Sequence, residues 1–210
     1  MIKKSMTALV MAAITFTACQ DSNKKDEHAG HDMSGMVNDT AQQVASTDKK
    51  EVKAVAVMYT NVEAKAAASI KETVDHYLHI KNALANDKAA EASTGAKAME
   101  AALGKMDKSL LTAGQKAAYD KVEEGLKLTA AAIAKNGSDI KLQRVQFVAM
   151  SEAVYELVKN FGAGRPLYHD YCPMARDDQG AMWISELKEI KNPYFGDQML
   201  TCGSVEEVIK

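Results

Sequence analysis

Apolar residues recur at helical spacing between residues 51 and 164, and this periodicity limits the fold more than any other feature of the chain. Residues three or four positions apart lie on one face of a helix, so each stripe predicts an amphipathic helix with a buried side. We interpret the methionine and aromatic members as core residues. Four stripes follow one another: Val62, Ala66, Ile70, Val74, Tyr77 and Leu84; Ala89, Ala92, Ala96, Met99, Leu103 and Met106; Tyr119, Val122, Leu126, Thr129 and Ile133; Ile140, Phe147, Met150, Val154, Leu157, Val158 and Phe161.

The stripes are separated by short segments that carry turn and capping signals. Asp87 is expected to cap the second helix and Ser138 the fourth, because short polar side chains accept hydrogen bonds from the first free N–H groups of a helix. Thr112 and Gln115 have the spacing of a capping box. Gly137 and Gly162 follow the third and fourth stripes, where glycine favours the end of a helix. Short connections of this kind predict an antiparallel up-and-down bundle.

The composition agrees with a helical chain. Aromatic residues make up 6% and there are only 3 prolines, while alanine is abundant, which favours helix over sheet. We therefore expect an all-α fold, in which an antiparallel four-helix bundle over residues 51–164 carries an irregular, Cys-containing C-terminal lobe over 165–210. A net charge of −2 excludes a nucleic-acid-binding protein that acts through bulk positive charge.

The first residues have the pattern of an export signal. Lys3 and Lys4 precede the apolar run Met6–Phe16, which is too short to span a membrane, and small residues then lead to Cys19. The segment Phe16-Thr17-Ala18-Cys19 resembles a bacterial lipobox. This resemblance implies removal of residues 1–18, lipidation of Cys19 and attachment to a membrane, as a periplasm-facing or outer-membrane lipoprotein of the cell envelope. The alternative is an ordinary signal peptide with an unmodified cysteine.

Residues 19–50 lack an apolar period and are predicted to be a solvated linker. Within it lie His28, His31, Met33 and Met36. Imidazole binds Cu, Zn and Ni, and thioether sulfur is a soft donor that favours Cu(I), so these residues are a candidate metal site. The cluster resembles the His- and Met-rich tails of exported copper-handling proteins. The alternative is a polar tether in which these residues bind nothing.

A second histidine pair, His76 and His79, lies on the first predicted helix. The spacing of three residues places both rings on one ridge, where they could chelate an ion if a third ligand were supplied. We favour the interpretation that they are surface histidines beside the apolar stripe.

The lobe over residues 165–210 carries the most specific motifs. It contains all three prolines, the single tryptophan and the two remaining cysteines, and its expected packing anchors are Trp183, Tyr194 and Phe195. The motifs are Tyr171-Cys172-Pro173-Met174-Ala175, Gly180-Ala181-Met182-Trp183-Ile184-Ser185, Glu189-Ile190-Lys191-Asn192-Pro193-Tyr194-Phe195-Gly196 and Met199-Leu200-Thr201-Cys202-Gly203.

Together these motifs resemble an uncharacterised family of exported bacterial domains, over roughly residues 59–210. Domains of that family occur in small lipoproteins and at the C-terminal end of periplasmic adaptors of copper and silver efflux pumps. The resemblance implies a helical bundle with this Cys-containing tail, a link to heavy-metal handling and efflux-pump components as partners. It implies no activity, and the chain lacks the barrel, lipoyl and hairpin regions of a complete adaptor.

The chemistry of the tail allows two interpretations. In the first, soft donors surround Cu(I), because thiolate, thioether and imidazole select that ion; the candidate ligands are His169, Cys172, Met174, Met199 and Cys202. In the second, Cys172 and Cys202 form a disulfide, which an oxidising compartment permits and which contributes about 3–4 kcal/mol for a loop of this size. A closed bridge excludes both sulfurs as ligands.

No enzyme motif is present: the sequence contains no Cys-x-x-Cys, no Gly-x-Ser-x-Gly and no phosphate-binding loop. We therefore expect a non-catalytic, exported lipoprotein that binds copper for sequestration or hand-over near an efflux system. The alternative is an envelope interaction module whose Cys-containing tail is purely structural.

Overall fold

The computed structural model describes residues 52–210, which belong to one compact unit. Four long helices follow each other along the chain, each packs against the next, and the fourth also packs against the first. The predicted helical bundle is therefore present. Its helices are α1 (Ala64–Ala85), α2 (Ala89–Gly104), α3 (Ala113–Lys135) and α4 (Ile140–Phe161), with a 3-10 turn at Lys108–Leu110 between α2 and α3. Cys19, His28, His31, Met33 and Met36 lie outside the described residues.

The apolar stripes form the centre of the bundle, as their spacing predicts. Ile70, Val74, Leu126 and Val154 are fully or almost fully buried. The rings of Tyr77 and Phe147 stack between α1 and α4, with centroids 5.1 Å apart. Burial of such side chains is the main source of stability in a bundle, at about 25 cal/mol per Å² of apolar surface.

The capping predictions have mixed outcomes. Thr112 and Gln115 form the expected capping box at the start of α3, and Gly162 (φ +68°) ends α4. The other two predicted caps are wrong. The N-cap of α4 is Asp139, whose carboxylate accepts from the N–H groups of Lys141 and Leu142 at 3.1 Å, one residue later than Ser138.

Asp87 does not cap α2 because its carboxylate is engaged elsewhere. Its Oδ1 accepts from Arg144 at 2.7 Å and its Oδ2 from the backbone N–H of Asp197 at 2.9 Å. The N-cap position of α2 is taken by Lys88, whose side chain makes no capping hydrogen bond. Asp87 therefore links the bundle to the lobe instead of starting a helix.

The expectation of an all-α protein with an irregular lobe is wrong, because three strands of the lobe and one strand that precedes α1 form a mixed four-stranded sheet in the order β1-β4-β2-β3. β1 and β4 run parallel, and β2 is antiparallel to both β4 and β3. The strands are β1 (Lys53–Val55), β2 (Leu167–Cys172), β3 (Ala181–Ser185) and β4 (Ser204–Ile209); the four-residue turn α5 (Ala175–Asp178) lies between β2 and β3, and a 3-10 turn at Gly196–Gln198 precedes β4.

Local sequence explains why these strands are not predicted. β1 has three residues, too few to show an alternating pattern. In β2 the register shifts between His169 and Asp170, and such a bulge interrupts the alternation of inward and outward side chains. β4 places Glu206 and Glu207 side by side in its centre, so it does not alternate between apolar and polar residues either.

The sheet and the helices share one hydrophobic core. Leu167, Trp183 and Ile184 of the sheet are almost completely buried and belong to the same cluster as the helix residues. Within residues 52–210, no helix combines the length and apolar character needed to cross a bilayer.

Candidate metal site

The structure brings the two cysteines of the lobe into contact. Cys172 is the last residue of β2 and is fully buried, whereas Cys202 lies just before β4 and is half-buried. Both are free thiols, and Gly203, the neighbour of Cys202, packs against the backbone of Tyr171, the neighbour of Cys172, so the two thiols lie close enough for Cys172 to shift the pKa of Cys202. Two sulfur donors from distant parts of the chain therefore lie side by side, with one of them reachable from solvent.

Gly203 allows the chain to pass close enough for this contact. A Cβ at this position would lie 2.9 Å from the carbonyl oxygen of Tyr171 and 2.9 Å from the indole ring of Trp183. Its φ of +139° is also a conformation that residues with a side chain rarely adopt. The glycine of the Met-Leu-x-Cys-Gly motif thus brings Cys202 beside the end of β2.

The segment before Cys202 is fastened to the bundle through Arg144 of α4. Its Nε donates to the carbonyl oxygen of Pro193 at 2.8 Å, and its Nη2 donates to the carbonyl oxygen of Leu84 at 2.8 Å. Tyr194 adds a hydrogen bond from its hydroxyl to the carbonyl oxygen of Met182 at 2.6 Å and packs against Trp183. The Asn-Pro-Tyr-Phe-Gly motif is therefore a docking segment that holds Cys202 in place.

The environment of Cys202 favours the protonated thiol over the thiolate. The hydrogen bond with Cys172, burial and the neighbouring sulfur raise the pKa of Cys202 to about 11, and the backbone N–H of Met174 opposes this shift. A metal ion must displace this proton before the sulfur can bind it, so affinity at such a site falls as the pH falls.

Met174 and Met199 lie next to the thiol pair through their backbones. The N–H of Met174 hydrogen-bonds to the thiol of Cys202, and the N–H of Cys202 donates to the carbonyl oxygen of Met199 at 3.1 Å. Met174 is 47% exposed. The backbones of Met174 and Met199 therefore adjoin the segment that carries Cys202.

His169 lies elsewhere. Its ring packs against Tyr155 with centroids 4.5 Å apart, and its Nδ1 is 3.6 Å from Oε2 of Glu207. Burial lowers the pKa of His169, although Glu207 opposes the shift. At about 3.3 Å per strand residue, His169 and Cys172 are about 10 Å apart along β2, so His169 belongs to a separate polar cluster.

The histidines of α1 do not gather further ligands. His79 is exposed, and Nε2 of His76 is 3.9 Å from a carboxylate oxygen of Glu72. In the part of the chain that the structure describes, no three His, Cys, Asp or Glu side chains are grouped as a metal site would require. Among the described residues, the thiol pair therefore has no third His, Cys, Asp or Glu ligand beside it.

A second polar cluster, not predicted from the sequence, lies between α1 and the sheet. Lys81 is fully buried, with its Nζ 2.9 Å from Glu186 and 3.3 Å from the hydroxyl of Ser185.

Asp170 is also fully buried, and neither carboxylate oxygen accepts an aligned hydrogen bond, although the indole N–H of Trp183 lies close to it. Lys81 continues the stripe of Val74 and Tyr77 at helical spacing, a signal that could have revealed its burial.

Comparison with known proteins gives one match. A family model described as a protein of unknown function (DUF3347) matches residues 73–165. No curated protein and no solved structure matches the chain. The chain is therefore similar to an uncharacterised family from the middle of α1 to the segment after α4, and the thiol pair lies outside the matched residues.

Proposed function

We propose that this protein is an exported, lipid-anchored copper-binding protein that holds Cu(I) at the pair Cys172 and Cys202, for sequestration or hand-over near an efflux system. The single observation that carries the proposal is the contact between these two free thiols. Two thiolates with thioethers nearby are the donor set that Cu(I) prefers. Met174 and Met199, whose backbones adjoin Cys202, supply the thioethers in this proposal.

The donor set disfavours zinc. Structural zinc sites use four ligands drawn from Cys, His and carboxylates. Around the thiols, within residues 52–210, no third ligand of these types completes such a site. The half-buried position of Cys202 gives an ion a route to the sulfurs. In this proposal the linker residues His28, His31, Met33 and Met36 supply a second, weaker site.

The alternative function, an envelope interaction module stabilised by a Cys172–Cys202 disulfide, has one observation in its favour. Cys172 is completely buried, which suits a structural bridge better than a site that must exchange metal. The two functions differ in the state of the thiols and in metal affinity.

Anaerobic titration of the reduced mature protein with Cu(I), against a competing chelator, tests the proposal. We expect the double substitution Cys172→Ser and Cys202→Ser to weaken binding by at least about 100-fold, or about 2.7 kcal/mol, because both anionic ligands are lost. Met174→Leu is expected to weaken binding less, and Met58→Leu, at a methionine that is 69% exposed elsewhere on the surface, is the matched control.

Two further arms separate the sites and the alternatives. Replacing His28, His31, Met33 and Met36 by alanine should lower copper stoichiometry without changing helical content. Oxidised protein should lose tight binding; if it binds Cu(I) as tightly as reduced protein, the thiol site is wrong. If freshly purified protein has no free thiol at 172 and 202, and reduction destabilises it with or without copper, the structural bridge is the correct interpretation.

A further inference from the structure

Asn192 is a buried polar residue in the segment that carries Cys202. It is fully buried, and each of its polar groups has a partner within the same segment. Its side-chain Nδ2 donates to the carbonyl oxygen of Cys202 at 2.8 Å, and its Oδ1 accepts from the backbone N–H of Tyr194 at 2.8 Å. Its own N–H donates to the carbonyl oxygen of Leu200 at 2.7 Å. The carboxamide thus ties both ends of the loop 192–202 together.

The loop ends at the thiol. The carbonyl group held by Asn192 belongs to Cys202 itself, so a shift of this hydrogen bond moves the Cα from which the thiol projects. On the other side of Cys202, Gly203 packs tightly against the backbone of Tyr171. The chain therefore has little freedom to restore the position of Cys202 if the Asn192 hydrogen bond is lost. A buried amide that lacks its partner is costly, so the hydrogen bond is strongly favoured once the loop is closed.

We propose that Asn192 is a positioning residue for the thiol pair: its carboxamide fixes the backbone of Cys202 so that the Cys202 thiol meets that of Cys172. This inference deepens the proposed copper function, because it names the residue that sets the separation of the two proposed ligands. The asparagine of the Asn-Pro-Tyr-Phe-Gly motif then serves the site and not merely the core.

The test measures how closely the thiols are held, by a reaction that needs no copper. The mature protein is equilibrated with reduced and oxidised glutathione: the protein dithiol and one glutathione disulfide give the protein disulfide and two glutathione thiols. The equilibrium constant reports the effective concentration of one thiol at the other. Cu(I) affinity is measured on the same proteins as a second readout.

Gln143 offers a matched control. It is another fully buried amide, and its Nε2 donates to the carbonyl oxygens of Ala89 at 2.9 Å and Ile133 at 3.4 Å, within the bundle. Asn192→Ala is compared with Gln143→Ala. Asn192→Asp is compared with Gln143→Glu; it keeps the acceptor for Tyr194 and removes only the donor to Cys202, so it also serves if the alanine variant does not fold.

We expect each Asn192 variant to lower the glutathione equilibrium constant at least about fivefold more than its Gln143 counterpart, as the loss of one buried hydrogen bond predicts. A difference below fivefold would show that Asn192 acts only through general stability and overturns the inference. A wild-type protein that fails to bind Cu(I) contradicts the proposed function alone, since the glutathione comparison still decides the role of Asn192.

Discussion

Replacing Trp183 by alanine is expected to lower the free energy of unfolding by about 3–5 kcal/mol, the usual cost of removing a fully buried large aromatic side chain. Trp183 has no exposed surface, and its ring meets that of Tyr194 edge-on with centroids 6.0 Å apart. The ring also lies next to Gly203, so the cavity would open beside the thiol pair. Urea denaturation of the reduced protein measures the change.

Leu128→Ala is the control for this prediction. Leu128 lies on α3 and is 65% exposed, so its removal should change the unfolding free energy by less than about 0.5 kcal/mol. If Trp183→Ala costs less than about 1 kcal/mol, the lobe collapses onto the vacant volume and does not share a rigid core with the helices.

The second prediction concerns pH: in the reduced, metal-free protein, Asp170 should make the folded state less stable as the pH rises from about 4 to about 7. Burial raises the pKa of Asp170 from its ordinary value of 3.8 to about 7, although Lys81 and the indole of Trp183 lower it. Between these two values the folded state keeps a proton that the unfolded chain has lost. Stability from this residue is therefore fully present below pH 4 and is lost as the pH rises to 7.

The size of this effect follows from the shift. Three pKa units correspond to on the order of 4 kcal/mol, which is an upper limit for the change across the window. Asp170→Asn should abolish this part of the pH dependence, because the amide has a similar shape and does not titrate. The quantity to measure is the difference in unfolding free energy between wild type and Asp170→Asn, by urea denaturation at each pH.

Asp75→Asn is a control, because Asp75 should change the unfolding free energy with pH in the opposite direction. Burial raises the pKa of Asp75, but hydrogen bonds from Lys71 and Arg165 outweigh it and lower the pKa below 3.8. Asp75 therefore stabilises the folded state above that pH, and this stability is lost as the pH falls. If the unfolding free energies of wild type and Asp170→Asn change in parallel between pH 4 and 7, the interpretation of Asp170 as a buried, protonated acid is contradicted.

The helical part of the fold could be predicted because its signal is local. Stripes of apolar residues fix the helix faces, and Thr112 with Gln115 fixes the start of α3. The errors arise where a distant residue competes for a local partner. Asp87 has the right chemistry for a cap, but Arg144 and the N–H of Asp197 take its carboxylate instead.

The site could be predicted only as a set of residue types. The sequence shows that the tail contains sulfur donors. The distance between Cys172 and Cys202, however, depends on the close contact of Gly203 with the backbone of Tyr171 and on the hydrogen bond from Asn192 that closes the loop. The motifs mark Gly203 and Asn192, but their spacing does not say which distant backbone groups they meet. The same holds for His169, which is near Cys172 in sequence but packs against Tyr155.

The position of β4 has a consequence for the order in which the molecule can assemble. It is the last strand along the chain but lies inside the sheet, between β1 and β2, and Lys53 pairs with Glu207 across 154 residues. Helices that contact their sequence neighbours can form while synthesis continues, whereas contacts between distant residues form late. The bundle can therefore precede the sheet in time, and Cys172 meets Cys202 only after nearly the whole chain has emerged. Under the proposed function, a newly made molecule would therefore become able to hold Cu(I) only after its helices have formed.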